Sequence, residues 1–525
     1  MDAMLALVAA MCLAAGPAST DVDVAHARQH PRSPPVEWTD WGPEAFARAK
    51  REKKAILLDG SAAWCHWCHV MDETTYRDPT VGKLLRERFI PVRFDVDEHP
   101  DLAERYGAWG WPATILLSAD ASELGKYRGY LPPEELRGIL EHLDGAAAPA
   151  THTAFDDAAP RPEALGFVAA LAIHSMDGFY DSEQGGWGMR RKAPLSANAE
   201  LELRRASHGD PQALGRATFS LKAQRALIDP VWGGIYQYSA ASDWKSPHFE
   251  KLMTYQAPAL EAAARAYQAS GDPTLLDDAR HIAGYLLHFL RSPQGAFYAN
   301  QDADLGAHDE RGRFLDGHLY YARDDAGRRA LGLPWVDTHV YAHENGLAIA
   351  ALCALYEASG DAASLAAARE AAGAVLASHV DADGAVRHEA TSKGPRLLAD
   401  AASLGRGLTC LARVTGDAGY REAAIRIARG LEVLRDPATG ALWEHTADPD
   451  ATGVFARRAH PFAHNVASAR FLGALTRLTG DPAWAARGRD ALAAVATPSA
   501  LDEAGPWLGE MLLALDDVGA LRWPG

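Results

Sequence analysis

Cysteine is scarce in this chain, five residues in 525. No disulfide framework can hold so long a chain, and its cores must come from the 48% of residues that are hydrophobic and the 8% that are aromatic. Positive charge is short as well. Lysine and arginine number 52 against 69 acids, a net charge of −17, and no basic run offsets it. Nucleic acid and anionic membrane are therefore poor partners. A long apolar run is missing too. Ala3–Ala15 is apolar but too short to span a bilayer, and Gly16-Pro17-Ala18 offers a small-residue cleavage site. No lysine or arginine precedes that run, and Asp2 has the wrong sign for an export signal. Met11 is too large for a lipoprotein pattern at Cys12. Residues 1–20 are expected to be a signal peptide, with a periplasmic or extracellular location; if they are not, the chain stays in the cytoplasm.

Two of the five cysteines stand together. Cys65-His66-Trp67-Cys68-His69 follows the apolar run Ala55-Ile56-Leu57-Leu58-Asp59, where a strand hands over to a helix. Unpaired N–H groups and the helix dipole favour a thiolate there. One sulfur can attack a disulfide and the other can resolve it. Asp59 sits inside an apolar strand, where a carboxylate is costly without a task, and can accept the proton of the resolving thiol. Trp64 is expected to shield the sulfurs. Beyond the motif, Ile90–Val96 reads as a strand, Asp101–Tyr106 as a helix, Ile115–Leu117 and Lys126–Tyr130 as strands, and Pro132–Leu143 as a helix with proline in its first turn. This is the thioredoxin order. It would set a cis Pro112 beside the cysteines, presenting backbone to a substrate peptide.

Cys-x-x-Cys-His is also the attachment pattern for c-type haem, but no distal axial ligand can be picked out. Zinc on Cys65, Cys68, His66 and His69 would need four ligands from five residues to surround one ion tetrahedrally. A purely structural disulfide has no purpose in a domain with its own core. Redox chemistry is the favoured reading, with neither cofactor nor metal in it. His66 and His69 would favour a thiolate and a more oxidising couple, and Asp59 would act in the opposite sense. Cys353 and Cys410 lie in apolar helical stretches as small buried hydrophobes.

From Asp144 to Pro162 the chain turns into alanine, proline, aspartate and threonine, a linker composition. Beyond it, Gly-Asp pairs recur at 209–210, 271–272, 360–361, 416–417 and 480–481. Glycine ends one helix in the left-handed conformation and aspartate caps the next. Alternating with them are turns of glycine and a following apolar residue, as in Gly185-Gly186-Trp187, Gly233-Gly234-Ile235-Tyr236 and Gly440-Ala441-Leu442-Trp443. Two alternating turn types joined by helices predict a ring of five or six helical hairpins, an all-α (α/α) toroid with one kind of turn at each end. The glycine-aromatic turns would line a mouth carrying Tyr236, Tyr238, His248, Glu250, Asp302, Asp304, His343-Glu344-Asn345, His388-Glu389, Glu444-His445 and His464-Asn465. Aromatics with paired carboxylates suit a carbohydrate, since rings stack on sugars and two carboxyl groups can act as acid and base. Each residue taken singly is as readily a helix cap or an internal ion pair.

The strings Val36-Glu37-Trp38, Trp41-Gly42-Pro43-Glu44-Ala45-Phe46, Cys65–Met71, Asp95-Val96-Asp97, Trp111-Pro112, Gly233–Tyr236, Pro247–Leu252, Asp302-Ala303-Asp304 and Asn345–Ala348 make the chain similar to the spermatogenesis-associated protein 20 family. The resemblance runs from about Val36 to the C-terminus. It implies a thioredoxin-like domain (28–143), a linker (144–162) and a six-hairpin, glycosidase-like (α/α)6 toroid (163–525). The chain departs from the family at Ala63-Trp64, where many members carry small hydroxyl residues. It departs again at Tyr106–Gly110, which is not a run of glycines, and it is shorter than most members.

Two functions remain open. In the first, Cys65 attacks, Cys68 resolves, Asp59 accepts the proton, and Trp64 and Pro112 contact a disulfide-bearing protein client or a reductant. The toroid then recruits that client through its mouth. In the second, the toroid is a glycoside hydrolase, sugar epimerase or sugar-binding module, with Tyr236, Tyr238, His248, Glu250, Asp302, Asp304 and His464 around the sugar and a regulatory thioredoxin-like domain.

Overall fold

The structure, a computed structural model, describes residues 34–143, 157–308 and 314–523. The expected signal peptide, Cys12 and most of the expected linker fall outside these residues.

The N-terminal part is a five-stranded mixed sheet. Its elements are β1 (Thr39–Asp40), α1 (Pro43–Glu52), β2 (Ala55–Ser61), α2 (His66–Glu73), α3 (Pro79–Arg88), β3 (Phe89–Asp95), α4 (Pro100–Tyr106), β4 (Ala113–Leu117), β5 (Glu123–Arg128) and α5 (Pro133–Glu141). The strand order is β1-β3-β2-β4-β5. β3 runs parallel to β1 and β2, whereas β4 is antiparallel to β2 and β5. The central strand β2 is buried on both faces, which is why its sequence is a continuous apolar run rather than an alternation. This is the thioredoxin-like fold that the element order predicts, with boundaries displaced by a few residues. β5 is the largest shift, starting at Glu123 because the turn at Ser118–Ser122 closes a hairpin there.

From residue 165 onward the chain is helical. Six hairpins alternate outer and inner helices. The outer six are α6 (Leu165–Gly178), α8 (Ala213–Gln224), α10 (Pro273–Phe289), α14 (Ala362–His379), α16 (Ala418–Gly430) and α18 (Pro482–Val495). The inner six are α7 (Ser196–Ser207), α9 (Met253–Ser270), α13 (Ala342–Ser359), α15 (Leu398–Thr415), α17 (Phe462–Thr479) and α20 (Gly509–Asp517). Each inner helix packs on the next, and α20 packs back on α7, so the ring closes. An excursion between α10 and α13 carries the short helices α11 (Gly317–Tyr321) and α12 (Asp325–Leu331), and α19 (Pro498–Ala504) leads into the last inner helix.

The two turn types fall at opposite ends of the ring. Inner helices α9, α13, α15 and α17 end on Gly271, Gly360, Gly416 and Gly480 in the left-handed conformation. The aspartate that follows each glycine caps the next outer helix. The first pair differs, because Asp210 lies three residues before α8 begins and accepts the N–H of Gln212, the residue that precedes the helix. At the other end, five small antiparallel bridges form the glycine turns, among them Ile228 with Ile235, Arg291 with Phe297 and Arg435 with Leu442. The fourth residue of an inner helix clamps three of these. Gln256, Asn345 and Asn465 each accept a backbone N–H and donate to the carbonyl of Ile235, Phe297 and Leu442 respectively, at 2.5–3.0 Å. Asn345 and Asn465, counted among the polar residues of the mouth from sequence, are thus structural clamps.

Inner helices α13 and α15 approach closely because glycines face each other. A Cβ on Gly346 would lie 2.3 Å from the Ser403 backbone, and one on Gly407 would lie 2.6 Å from the Gly346 carbonyl oxygen. Gly346→Ala is expected to lower the stability of the toroid by about 1–3 kcal/mol through overpacking. Gly373→Ala, on exposed α14 with nothing near its Cβ, should be neutral or stabilising. Calorimetric melting of the two variants checks the contrast.

Candidate functional site

β2 delivers the cysteines to the start of α2. Cys65 is the N-cap, and its Sγ accepts the Cys68 N–H at 3.2 Å. The two are joined in a disulfide with Cα atoms 5.2 Å apart. The Trp111–Pro112 peptide is cis, and Pro112 is buried at the entry to β4. Both sulfur residues are covered, Cys65 to 4% and Cys68 to 2% of full exposure. They share one apolar cluster with Leu252, Tyr255, Val454 and Phe455 of the toroid. The covering surface is the toroid mouth.

The same helix presents two histidines one turn apart, and the mouth answers with carboxylates. Asp302 and Asp304 follow β9 (Asn300–Gln301), which lies between β8 (Lys251–Leu252) and β10 (Val336–Asp337). His66 Nδ1 lies 2.8 Å from Asp304 Oδ2, and His69 Nδ1 lies 3.2 Å from the same oxygen. His69 Nδ1 is also 3.7 Å from Asp302 Oδ1, and its Nε2 lies 3.0 Å from the Ala63 carbonyl oxygen. The His66 N–H donates to Glu250 Oε1 at 3.3 Å. Burial pulls the His66 imidazole down, but Asp304, Glu250 and Asp316 outweigh it and hold it up at about 9. Burial and the Asp302–Asp304 pair act in the same way on His69, also raised to about 9. Burial pushes Asp302 up. Asp304 resists its own burial because both imidazoles bond to it, and it lies well below the usual carboxylate range. Glu250 rises to about 7 through burial.

A second patch reinforces the docking. Trp64 Nε1 donates to Asp97 Oδ2 at 2.6 Å, and Asn300 Nδ2 donates to the same oxygen at 2.7 Å. His388 places Nε2 2.7 Å from the Asp97 carbonyl oxygen and Nδ1 3.0 Å from Asp400. Burial opposes its charge, and Asp400 holds it up at about 9. Asp97 is raised by burial and by neighbouring Asp95 and Glu344. His464 Nε2 faces Glu104 Oε2 of α4 at 3.7 Å.

Of the residues expected from sequence, Trp64, Glu250, Asp302, Asp304 and His464 all meet across the domain boundary. Tyr238, on β6 (Tyr238–Ser239), stacks on His248 of β7 (Pro247–His248) with ring centroids 4.3 Å apart, beside Glu250. Burial, with His66 and His318 nearby, pulls His248 down to about 3. Tyr236 is not at the mouth. It is buried among Phe249, Tyr321 and Lys251, because its turn folds the ring inward. Asp59 is buried but not alone. Arg93 Nε donates to it at 2.7 Å and Tyr76 Oη at 2.9 Å, and Arg93 also pairs with Asp72. Burial pushes Asp59 up against that arginine. Arg93, His308 and Asp316 were not singled out from sequence. Arg93 had a signal, a cation inside the apolar run of β3, in register with Asp59.

Fold and site together define a thioredoxin-like domain seated on the mouth of a six-hairpin helical toroid. Residues 21–146 match the family model Thioredox_DsbH, described as a protein of unknown function, DUF255. Human spermatogenesis-associated protein 20 is 29% identical over 353 residues, 58% of this chain and 44% of the human one. The similarity therefore extends beyond the thioredoxin-like domain into the toroid, and the chain spans less than half the length of that relative. Thiol:disulfide interchange protein DsbD 1 of Pseudomonas aeruginosa is 31% identical over 126 residues, 22% of this chain and 21% of that one. Among solved structures, cellobiose 2-epimerase from Bacillus thermoamylovorans aligns with a TM-score of 0.46 at 13% identity, over 62% of this chain and 86% of that one.

Asp304→Asn leaves two imidazoles facing a neutral amide. It is expected to weaken docking by about 3 kcal/mol, the low end for removing one partner of a buried ion pair. Hydrogen exchange at the α2 amides should speed up accordingly while the amides of α13 and α15 stay protected. Unchanged exchange in α2 would show that the apolar cluster holds the domains without the charges.

Proposed function

We propose that the chain is a thiol–disulfide oxidoreductase that works from its seat on the toroid. The carrying observation is the Cys65–Cys68 disulfide at the first turn of α2, with Cys65 as N-cap. A helix N-terminus stabilises the thiolate of the residue that caps it, which makes Cys65 the attacking sulfur and Cys68 the resolving one. Cys65 thiolate attacks a client disulfide, one client sulfur leaves as thiolate, and Cys68 then displaces the client from Cys65. Asp59, on the central strand β2, accepts the proton from Cys68, with Arg93 and Tyr76 setting its charge. Trp64 and Pro112 frame the sulfurs, and the partner is a disulfide-bearing protein or a reductant. The toroid supports recognition.

Because both sulfurs lie under the mouth, the reaction needs the docked surfaces to part or a client small enough to enter. A glycan bound at Tyr238, His248 and Glu250 would compete for the face that holds α2, so the carbohydrate reading has the weaker support. Among the described residues no helix is long and apolar enough to cross a membrane. An exported location suits a domain that handles disulfides outside the reducing cytosol; recovery of the chain in the cytosolic fraction with Ala3–Ala15 still attached would remove that part of the reading.

A Cys68→Ser variant expressed in the native cell, quenched with acid and alkylated, is expected to carry discrete proteins in mixed disulfides on Cys65. Cys65→Ser should lose exchange activity altogether, and Asp59→Asn should slow resolution while leaving the first attack in place. A Cys65 that stays free in the trap, together with full activity of Cys65→Ser, would sink the proposal.

A further inference from the structure

Two sets of three ligand-type side chains meet at the domain boundary. His69, Asp302 and His308 form one, and His66, Asp304 and Asp316 form the other; within each set the donor atoms lie within 4.8 Å of one another. In the first set, His308 Nε2 is 2.8 Å from the Ala63 carbonyl oxygen and 3.1 Å from Asp302 Oδ2, and His69 Nδ1 is 3.7 Å from Asp302 Oδ1. Ligands on a zinc-sized shell of about 2.0–2.1 Å lie roughly 3–3.5 Å from each other, so a small inward movement suffices. His69 is prepared as a ligand. Its Nε2 faces the Ala63 carbonyl oxygen at 3.0 Å, which orients the ring with Nδ1 toward the carboxylates. Nδ1 and Asp304 Oδ2, 3.2 Å apart, share a proton, and a metal cation would take that proton's place. A second, independent observation comes from Glu250. It is 3% exposed, its Oε1 holds the His66 N–H, and its Oε2 has no hydrogen-bond partner. This buried orphan carboxylate oxygen lies by His66 and Asp304 of the adjoining set and adds to the negative charge at the boundary.

We propose that His69, Asp302 and His308 bind one divalent transition-metal cation across the domain boundary, with His66, Asp304 and Asp316 as an adjoining set. Two imidazoles and a carboxylate select the zinc, cobalt and iron class over magnesium or calcium, which prefer all-oxygen sites. His69 comes from the thioredoxin-like domain, and Asp302 and His308 come from the toroid, so the ion ties the two together. The cysteines take no part, being joined to each other.

The test uses the full chain, kept oxidised, stripped with a chelator and titrated with cobalt(II). Saturating visible d–d bands are expected without the near-ultraviolet thiolate charge transfer that cysteine ligation gives, and zinc(II) should displace the cobalt. Zinc should also raise the melting temperature. His308→Ala, at an exposed position that does not threaten folding, should weaken binding by more than about a hundredfold, beyond the 10–100-fold that outer partners control. It should also abolish the zinc-dependent thermal shift. Asp316→Asn should leave the first equivalent in place. Absence of saturable cobalt bands, bands unchanged in His308→Ala, or charge transfer from sulfur would each overturn the proposal.

Discussion

A carboxylate without water needs a positive partner, and the arrangement of this molecule follows from that requirement. Asp302 and Asp304 are fully buried, and Glu250 nearly so. Isolated charges of this kind are far too costly to keep in a protein interior. The toroid does not neutralise them from its own ring helices. The positive groups come from α2 of the other domain, where His66 and His69 lie one turn apart and therefore on one face. The two imidazoles match a single oxygen, Asp304 Oδ2, and His69 faces Asp302 as well. This match fixes the orientation in which the thioredoxin-like domain sits, and it brings Cys65 and Cys68 under the mouth.

The second patch obeys the same logic with different groups. Asp97 is surrounded by acids, Asp95 and Glu344 among them, yet it is held by Trp64 and Asn300 through neutral donors. His388 supplies the cation, bonded to Asp400 and to the Asp97 carbonyl. An interface this rich in buried acids is specific rather than adhesive. Its apolar contribution, through Leu252, Tyr255, Val454 and Phe455, supplies the attraction, and the acid–histidine pairs select the register.

The elements were legible in the sequence wherever the signal was local. The Gly-Asp pairs at 271, 360, 416 and 480 announced helix ends because only glycine takes the left-handed C-cap freely and aspartate bonds the next helix's N–H groups. The strand before Cys65 was plain from its apolar run. What the sequence did not show was partnership over long separations. Asp302 and Asp304 read as sugar-site carboxylates, and nothing within fifty residues of them identified His66 and His69 as their partners. Asp59 read as a lone acid, although its arginine stood in register on the neighbouring strand. Tyr236 read as a mouth aromatic because the glycine turn precedes it, while the direction in which its ring points is set by Phe249 and Tyr321. Asn345 and Asn465 read as site residues because polarity at a helix start looks the same whether it grips backbone or substrate.

The shared face has a chemical consequence. Thiol chemistry needs the sulfurs reachable, and the docked mouth covers them, so whatever loosens the histidine–aspartate contacts also governs access to the disulfide. His66 is the link, since it follows Cys65 directly in the chain, lends its N–H to Glu250 and its ring to Asp304. A change of charge at the cysteines is therefore felt by the pair that holds the domains together, and a change at the mouth is felt by the cysteines. Reduction to a thiolate at Cys65 would add a negative charge at the residue next to His66, whose N–H and ring hold Glu250 and Asp304.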